Sequence, residues 1–93
     1  MMYVAVDVFG KSKETADRYR WGHSNGIDGL VRNLGAYSMA TGEPDEYGDL
    51  LIWETDSEYT AYNQVDRLAS GWFAARAGET IEEVIDYFRS VLA

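Results

Sequence analysis

The chain contains no cysteine and a single proline among its 93 residues. The missing cysteine excludes disulfides, thiolate zinc sites and a cysteine nucleophile. Because 46% of the residues are hydrophobic and proline is scarce, we expect the chain to fold, as one domain over residues 1–93. A chain of this length without disulfides depends on its apolar core, or on a partner, for stability.

Long apolar runs are also missing, and none approaches the roughly 20 residues of a membrane span. Residues 1–7 lack the basic segment and the long apolar segment of a secretory signal. We therefore expect a cytoplasmic protein that has no membrane partner.

Basic residues are absent from the middle of the chain. Residues 33–66 hold eight acids and neither lysine nor arginine, and the net charge of the whole chain is −8. Such a negative field repels nucleic acid and anionic membranes and attracts basic protein surfaces. We therefore expect a protein partner with a basic surface and no direct binding of nucleic acid.

Hydrophobic periodicity predicts three strands. Over residues 2–9 three valines fall on one face of a strand, at every second position. Aromatic and basic residues alternate over residues 17–23, although residues 13–16 could instead open a short helix. Four consecutive apolar residues within residues 49–54 predict a central strand that is buried on both faces.

Helical spacing predicts three helices. The first covers residues 27–38, although Gly29 and Gly35 lower its intrinsic stability. The second begins at a capping box formed by Thr55 and Glu58 and extends to residue 76 or 77, before Gly78. The third begins at a second capping box, Thr80 to Glu83, and its apolar face holds five residues: Ile81, Val84, Ile85, Phe88 and Leu92.

The predicted order is therefore β-β-α-β-α-α. This order indicates an α+β fold with a small, mostly antiparallel three-stranded sheet and three helices packed on one face of it. Two large aromatic residues, Trp53 and Trp72, are predicted to join the third strand to the second helix in the core.

Part of the acidic charge has a structural explanation, because carboxylates at a helix start interact favourably with the helix dipole. The remaining acids surround the predicted central strand with no base nearby in sequence, and tyrosines that can anchor an interface lie among them. We interpret the chain as a non-catalytic protein-binding module, and an acidic surface that serves solubility is the alternative. The predicted partner-binding residues are Glu43, Asp45, Glu46, Tyr47, Asp49, Glu54, Asp56, Glu58 and Tyr59.

In size, acidity and lack of a catalytic motif, the chain is similar to the small proteins with which viruses and mobile elements inhibit host enzymes, such as anti-restriction and anti-CRISPR inhibitors. This resemblance is one of composition, and it implies no residue-level roles. It implies an inhibitor that mimics nucleic acid and occupies the nucleic-acid-binding surface of its target.

An enzyme or ligand-binding domain is the second hypothesis. Its pocket would lie near Trp21, His23 and Asn25, and His23 would act as the acid or base with Asp7 or Asp17 as its carboxylate partner. The acids of residues 43–49 lack the spacing of a calcium loop, so we expect neither a metal nor a cofactor. A homo-oligomer is compatible with both hypotheses.

Overall fold

A computed structural model describes residues 1–7, 31–70 and 74–92. These residues form four strands and two helices in the order β-β-β-α-β-α. The elements are β1 (Met2–Asp7), β2 (Arg32–Tyr37), β3 (Leu50–Thr55), α1 (Glu58–Ser70), β4 (Ala75–Gly78) and α2 (Ile81–Leu92). The predicted α+β class and the antiparallel sheet are confirmed, whereas the predicted number of three strands is wrong.

The four strands form one antiparallel sheet in the order β2-β3-β1-β4. Both β3 and β4 run antiparallel to β1, so the last residues of both strands lie beside the first residues of β1. Thr55, the last residue of β3, pairs with Met2, and Gly78, the last residue of β4, pairs with Tyr3. Each of these strands leads into a helix, so the N-termini of α1 and α2 lie at this same end of the sheet.

The sheet is covered on both faces. Side chains from alternate positions of the strands, such as Val4 and Trp53, pack with Ala61 and Leu68 of α1. The other set of positions, which includes Ile52, packs with the apolar residues of α2. The prediction that all helices pack on one face is therefore wrong, and the described residues form three layers with the sheet in the middle.

β3 is the central element of the core. It lies between β2 and β1, and the side chains of residues 50–53 are at most 1% exposed. Burial of each such large apolar side chain contributes about 1.5–3 kcal/mol to the free energy of folding. The predicted central strand and the predicted core position of Trp53 are confirmed.

The predicted first helix is wrong over its described part, because residues 32–37 form β2. Gly35 has a φ angle of +94°, and the pairing of β2 with β3 shifts register between Asn33 and Gly35. The Gly35 N–H donates to Oδ1 of Asn33 at 2.7 Å, which stabilises this bulge. A glycine at such a bulge is typical of a strand, whereas two glycines disfavour a helix.

The predicted second helix is correct in position but too long. α1 ends at Ser70, and the residues predicted as its last turn form β4. The N-cap is Ser57 and not the predicted Thr55, because Oγ of Ser57 accepts the Thr60 N–H at 3.2 Å. Gly78 consequently ends a strand and not a helix.

The predicted third helix is confirmed as α2. The Thr80 Oγ1 accepts the Glu83 N–H at 3.0 Å, and a carboxylate oxygen of Glu83 accepts the Glu79 N–H at 2.9 Å. The predicted face is buried at Val84, Ile85 and Phe88.

The strand predicted over residues 17–23 and the predicted core position of Trp72 lie outside the described residues. Within the described part of the chain, neither helix is long and apolar enough to cross a membrane.

Candidate protein-binding surface

Five of the predicted partner-binding residues lie in the connection between β2 and β3, namely Glu43, Asp45, Glu46, Tyr47 and Asp49. This connection turns back on β2, since the Ser38 N–H donates to the Glu43 carbonyl at 2.9 Å and the Asp45 N–H donates to the Ala36 carbonyl at 3.0 Å. Tyr37 and Pro44 form an isolated antiparallel bridge between these two bonds. We call residues 43–49 the acidic loop.

Asp45 shapes the tip of the acidic loop. Its Oδ1 accepts the Tyr47 N–H at 2.9 Å, and its carbonyl accepts the Gly48 N–H at 2.8 Å. An aspartate that bonds to the backbone two residues later is a common turn former. These bonds define the backbone position of Tyr47, whose side chain is 81% exposed.

Gly48 attaches the end of the acidic loop to β2. It is buried, and a Cβ atom added to it would lie 2.2 Å from the carbonyl oxygen of Tyr37. The backbone of residue 48 therefore reaches its position against β2 only because glycine has no side chain.

The acidic loop carries negative charge at its surface. Glu43, Asp45 and Glu46 are exposed, and Asp49 is half-buried. Three of the four arginines in the described residues contact other groups: Arg32 contacts Glu54, Arg76 lies 4.6 Å from the centroid of the Tyr87 ring, and Arg89 contacts Asp86. Arg32 and Arg76 therefore lie against other groups, whereas Arg89 also lines a cavity together with Glu43 of the acidic loop.

Arg89 connects α2 to the start of the same connection. Its Nε donates to the Met39 carbonyl at 2.7 Å, and one terminal nitrogen donates to the Ala40 carbonyl at 3.4 Å. The loop thus has an attachment to the second helix in addition to its contacts with β2.

Glu54 differs from the other predicted partner-binding residues, because its side chain forms a salt bridge with Arg32 and is only 13% exposed. The two residues face each other across β2 and β3. This pairing leaves Glu54 with little surface for a partner, and its role in docking stays a prediction. The pairing of β2 with β3 explains the difference, since residues 27–38 were predicted to be helical.

The other predicted residues, Asp56, Glu58 and Tyr59, are exposed at the opposite end of β3. A six-residue strand spans about 17 Å, so the structure divides the continuous acidic stretch of the sequence into two separate surfaces. Glu58 lies in the first turn of α1, where the helix dipole offsets part of its charge. Among the described residues no helix begins at the acidic loop, so its carboxylates have no such dipole beside them.

Sequence reasoning missed several residues that join this second surface. Glu79 and Met1 line a cavity of about 470 Å³ together with Asp56 and Glu58. These residues come together because the last residues of β3 and β4 lie at the same end of the sheet. The sequence signal was hidden, since β4 was predicted to be the end of a helix.

Tyr37 lies under the base of the acidic loop, half-buried. Burial is the main cause that raises the pKa of its phenol, and the nearby Tyr3, Glu43 and Glu54 raise it further. The hydroxyl therefore stays neutral, and it adds no charge to the surface at physiological pH.

The pocket of the enzyme hypothesis, at Trp21, His23 and Asn25, lies outside the described residues, as does Asp17. Asp7 is the last residue of β1, and its N–H donates to the Ala74 carbonyl at 3.0 Å. Among residues 1–7, 31–70 and 74–92, no group of three acidic or histidine side chains is arranged to hold a metal ion.

The fold and this surface define a small α+β protein with a structured acidic loop. Comparisons with models of known protein families, with curated proteins and with solved structures found no match.

Proposed function

We propose that the chain is a non-catalytic protein-binding module that docks its acidic loop onto a basic surface of a partner protein. The observation that carries the proposal is the exposed Tyr47, which a hydrogen-bonded turn presents among the carboxylates of Glu43, Asp45 and Glu46. Interfaces commonly bury an aromatic anchor inside a polar rim.

The order of the loop supports this proposal. A surface held in one backbone conformation loses less conformational entropy when it binds than a flexible one does. The bonds of Asp45, the close approach of Gly48 to Tyr37 and the contacts of Arg89 with the preceding carbonyls all restrict the loop.

A narrower form of the proposal is that the partner surface normally binds nucleic acid, so that the chain acts as an inhibitor by mimicry. The exposed carboxylates of the acidic loop support it, because they can replace phosphates on a basic surface. The neutralised Glu54 and the division of the acids into two surfaces limit the mimic to the acidic loop itself.

The test begins with affinity capture from the native cell at low salt, followed by elution at high salt and identification of the eluted protein. Direct binding of that purified protein is then measured with the wild type, Tyr47→Ala and Tyr59→Ala. Both tyrosines are strongly exposed, at 81% and 77%, but only Tyr47 lies in the acidic loop.

We expect Tyr47→Ala to weaken binding by about tenfold or more, the loss typical of a buried aromatic anchor. Tyr59→Ala should leave the affinity within about twofold, since it lies at the other end of β3. Competition by a short DNA duplex supports the narrower form. Equal effects of the two substitutions would refute docking through the acidic loop.

A further inference from the structure

β4 is the strand at one edge of the sheet that the described residues form. The Asp7 N–H donates to the Ala74 carbonyl at 3.0 Å, and hydrogen-bonded positions alternate along an antiparallel ladder. The backbone N–H and carbonyl groups of Arg76 therefore point toward β1, whereas those of Ala75 and Ala77 point away from the sheet. Among the described residues, no strand pairs with this outer side.

A groove runs beside this edge. It has a volume of about 320 Å³ and lies between α1, β4 and the start of α2. Tyr62 and Val65 of α1 supply apolar surface along the groove, next to Ala75 and Ala77 of β4. Past the end of β4, the surface continues into the acidic cavity that contains Met1 and Asp56.

The charge of the groove defines what can occupy it. Glu58, Glu79 and Glu83 line it, and the one arginine of the lining, Arg76, lies over the ring of Tyr87. A second copy of the chain would bring another net charge of −8 and the same carboxylates to this edge. Like charges so placed oppose self-pairing and favour a basic occupant.

We propose that the β4 edge binds an extended, lysine- or arginine-bearing segment of a partner protein, which adds to the sheet as a strand beside β4. Backbone hydrogen bonds to Ala75 and Ala77 hold the segment, and its alternate side chains separate onto two sides. Apolar side chains contact Tyr62 and Val65 on the α1 side, and basic side chains contact Glu83 of α2 and Glu79 beyond the end of β4. The inference rests on the proposed function only for the basic character of the partner.

The test uses NMR amide exchange of the whole chain with a peptide of four Lys-Val repeats as the probe. At saturating peptide, the Ala75 and Ala77 amides should exchange more slowly by about tenfold or more, because their N–H groups become hydrogen-bonded. The Arg76 and Gly78 amides already face β1 and serve as internal controls. The same peptide N-methylated at every amide cannot donate these bonds and should bind at least about tenfold more weakly.

Two sets of variants test the edge and its charge. Ala77→Pro removes an outward N–H that β1 does not use, a place where an edge strand tolerates proline, and it should abolish the protection at Ala75. Glu79→Gln combined with Glu83→Gln should weaken binding by about threefold or more and reduce its salt dependence, whereas Glu82→Gln, an exposed acid outside the groove, should not. If Ala77→Pro does not fold, the N-methylated peptide still decides the question.

Unchanged exchange at Ala75 and Ala77, or equal binding of the methylated peptide, would overturn the inference. Its failure is distinguishable from failure of the proposed function. Loss of partner binding in Tyr47→Ala without protection at β4 supports the acidic loop alone. Protection at β4 with normal partner binding of Tyr47→Ala supports the edge alone.

Discussion

At the residue scale, the acidic loop depends on Gly48, whose backbone touches that of Tyr37. A Cβ atom at this position would lie 2.2 and 2.3 Å from the carbonyl oxygen and carbon of Tyr37, which is backbone that cannot rotate away. We expect Gly48→Ala to lower the free energy of unfolding by about 1–3 kcal/mol, the usual cost of overpacking. Urea unfolding followed by circular dichroism measures this loss, and an unchanged midpoint would show that the loop moves freely.

A second prediction at this scale concerns pH. Since the folded structure raises the pKa of Tyr37 above its ordinary value of about 10, the unfolded chain loses the phenol proton first as pH rises. The contribution of Tyr37 to stability is therefore present below pH about 10 and is lost as pH rises through the raised pKa.

Tyr37→Phe removes this ionisation, so its free energy of unfolding should fall less steeply with pH than that of the wild type. Urea titrations at several pH values between about 9 and about 11 measure the slopes. Tyr59→Phe, at a strongly exposed tyrosine, is the matched control and should keep the wild-type slope. Identical slopes for all three proteins would contradict the assignment to Tyr37.

At the scale of elements, the start of α2 depends on its N-cap. α2 has Thr80 as its N-cap, and the Thr80 hydroxyl accepts the Glu83 N–H at 3.0 Å. Thr80→Ala should therefore destabilise the protein by about 1 kcal/mol. Ser90→Ala, which removes a hydroxyl bonded to the Tyr87 carbonyl in the last turn, is the control and should cost less than about 0.5 kcal/mol. Thermal unfolding compares the two, and an equal cost would refute the importance of the cap.

The sequence predicted those elements whose local signals agree with their surroundings. The apolar run of β3 matches burial on both faces, and the caps and periodicity of α2 match its packing. β2 was not predicted, because its strand character comes from pairing with β3 and from the bulge at Gly35. β4 was not predicted either, since Ala75 and Ala77 have helical propensity and only the pairing with β1 makes them extended.

At the scale of the whole molecule, the distribution of charge was predicted along the chain but not in space. The exposed acids of the loop follow directly from the sequence. The salt bridge of Glu54, in contrast, depends on the neighbouring strand β2, which carries Arg32. The second acidic surface required the common direction of β3 and β4. Both depend on strand pairing, which a single sequence does not encode locally.

The proposed function requires that the exposed carboxylates of the acidic loop bind a basic partner. Glu46→Lys reverses one exposed charge in the loop, and Asp66→Lys reverses one exposed charge on α1 as the matched control. The most direct measurement is the dissociation constant of the purified, captured partner with wild type and both variants across a series of salt concentrations.

We expect Glu46→Lys to weaken binding by about tenfold at low salt and to flatten its salt dependence, while Asp66→Lys stays within about twofold of the wild type. Binding by the wild type that does not change with salt, or equal losses in the two variants, would contradict it.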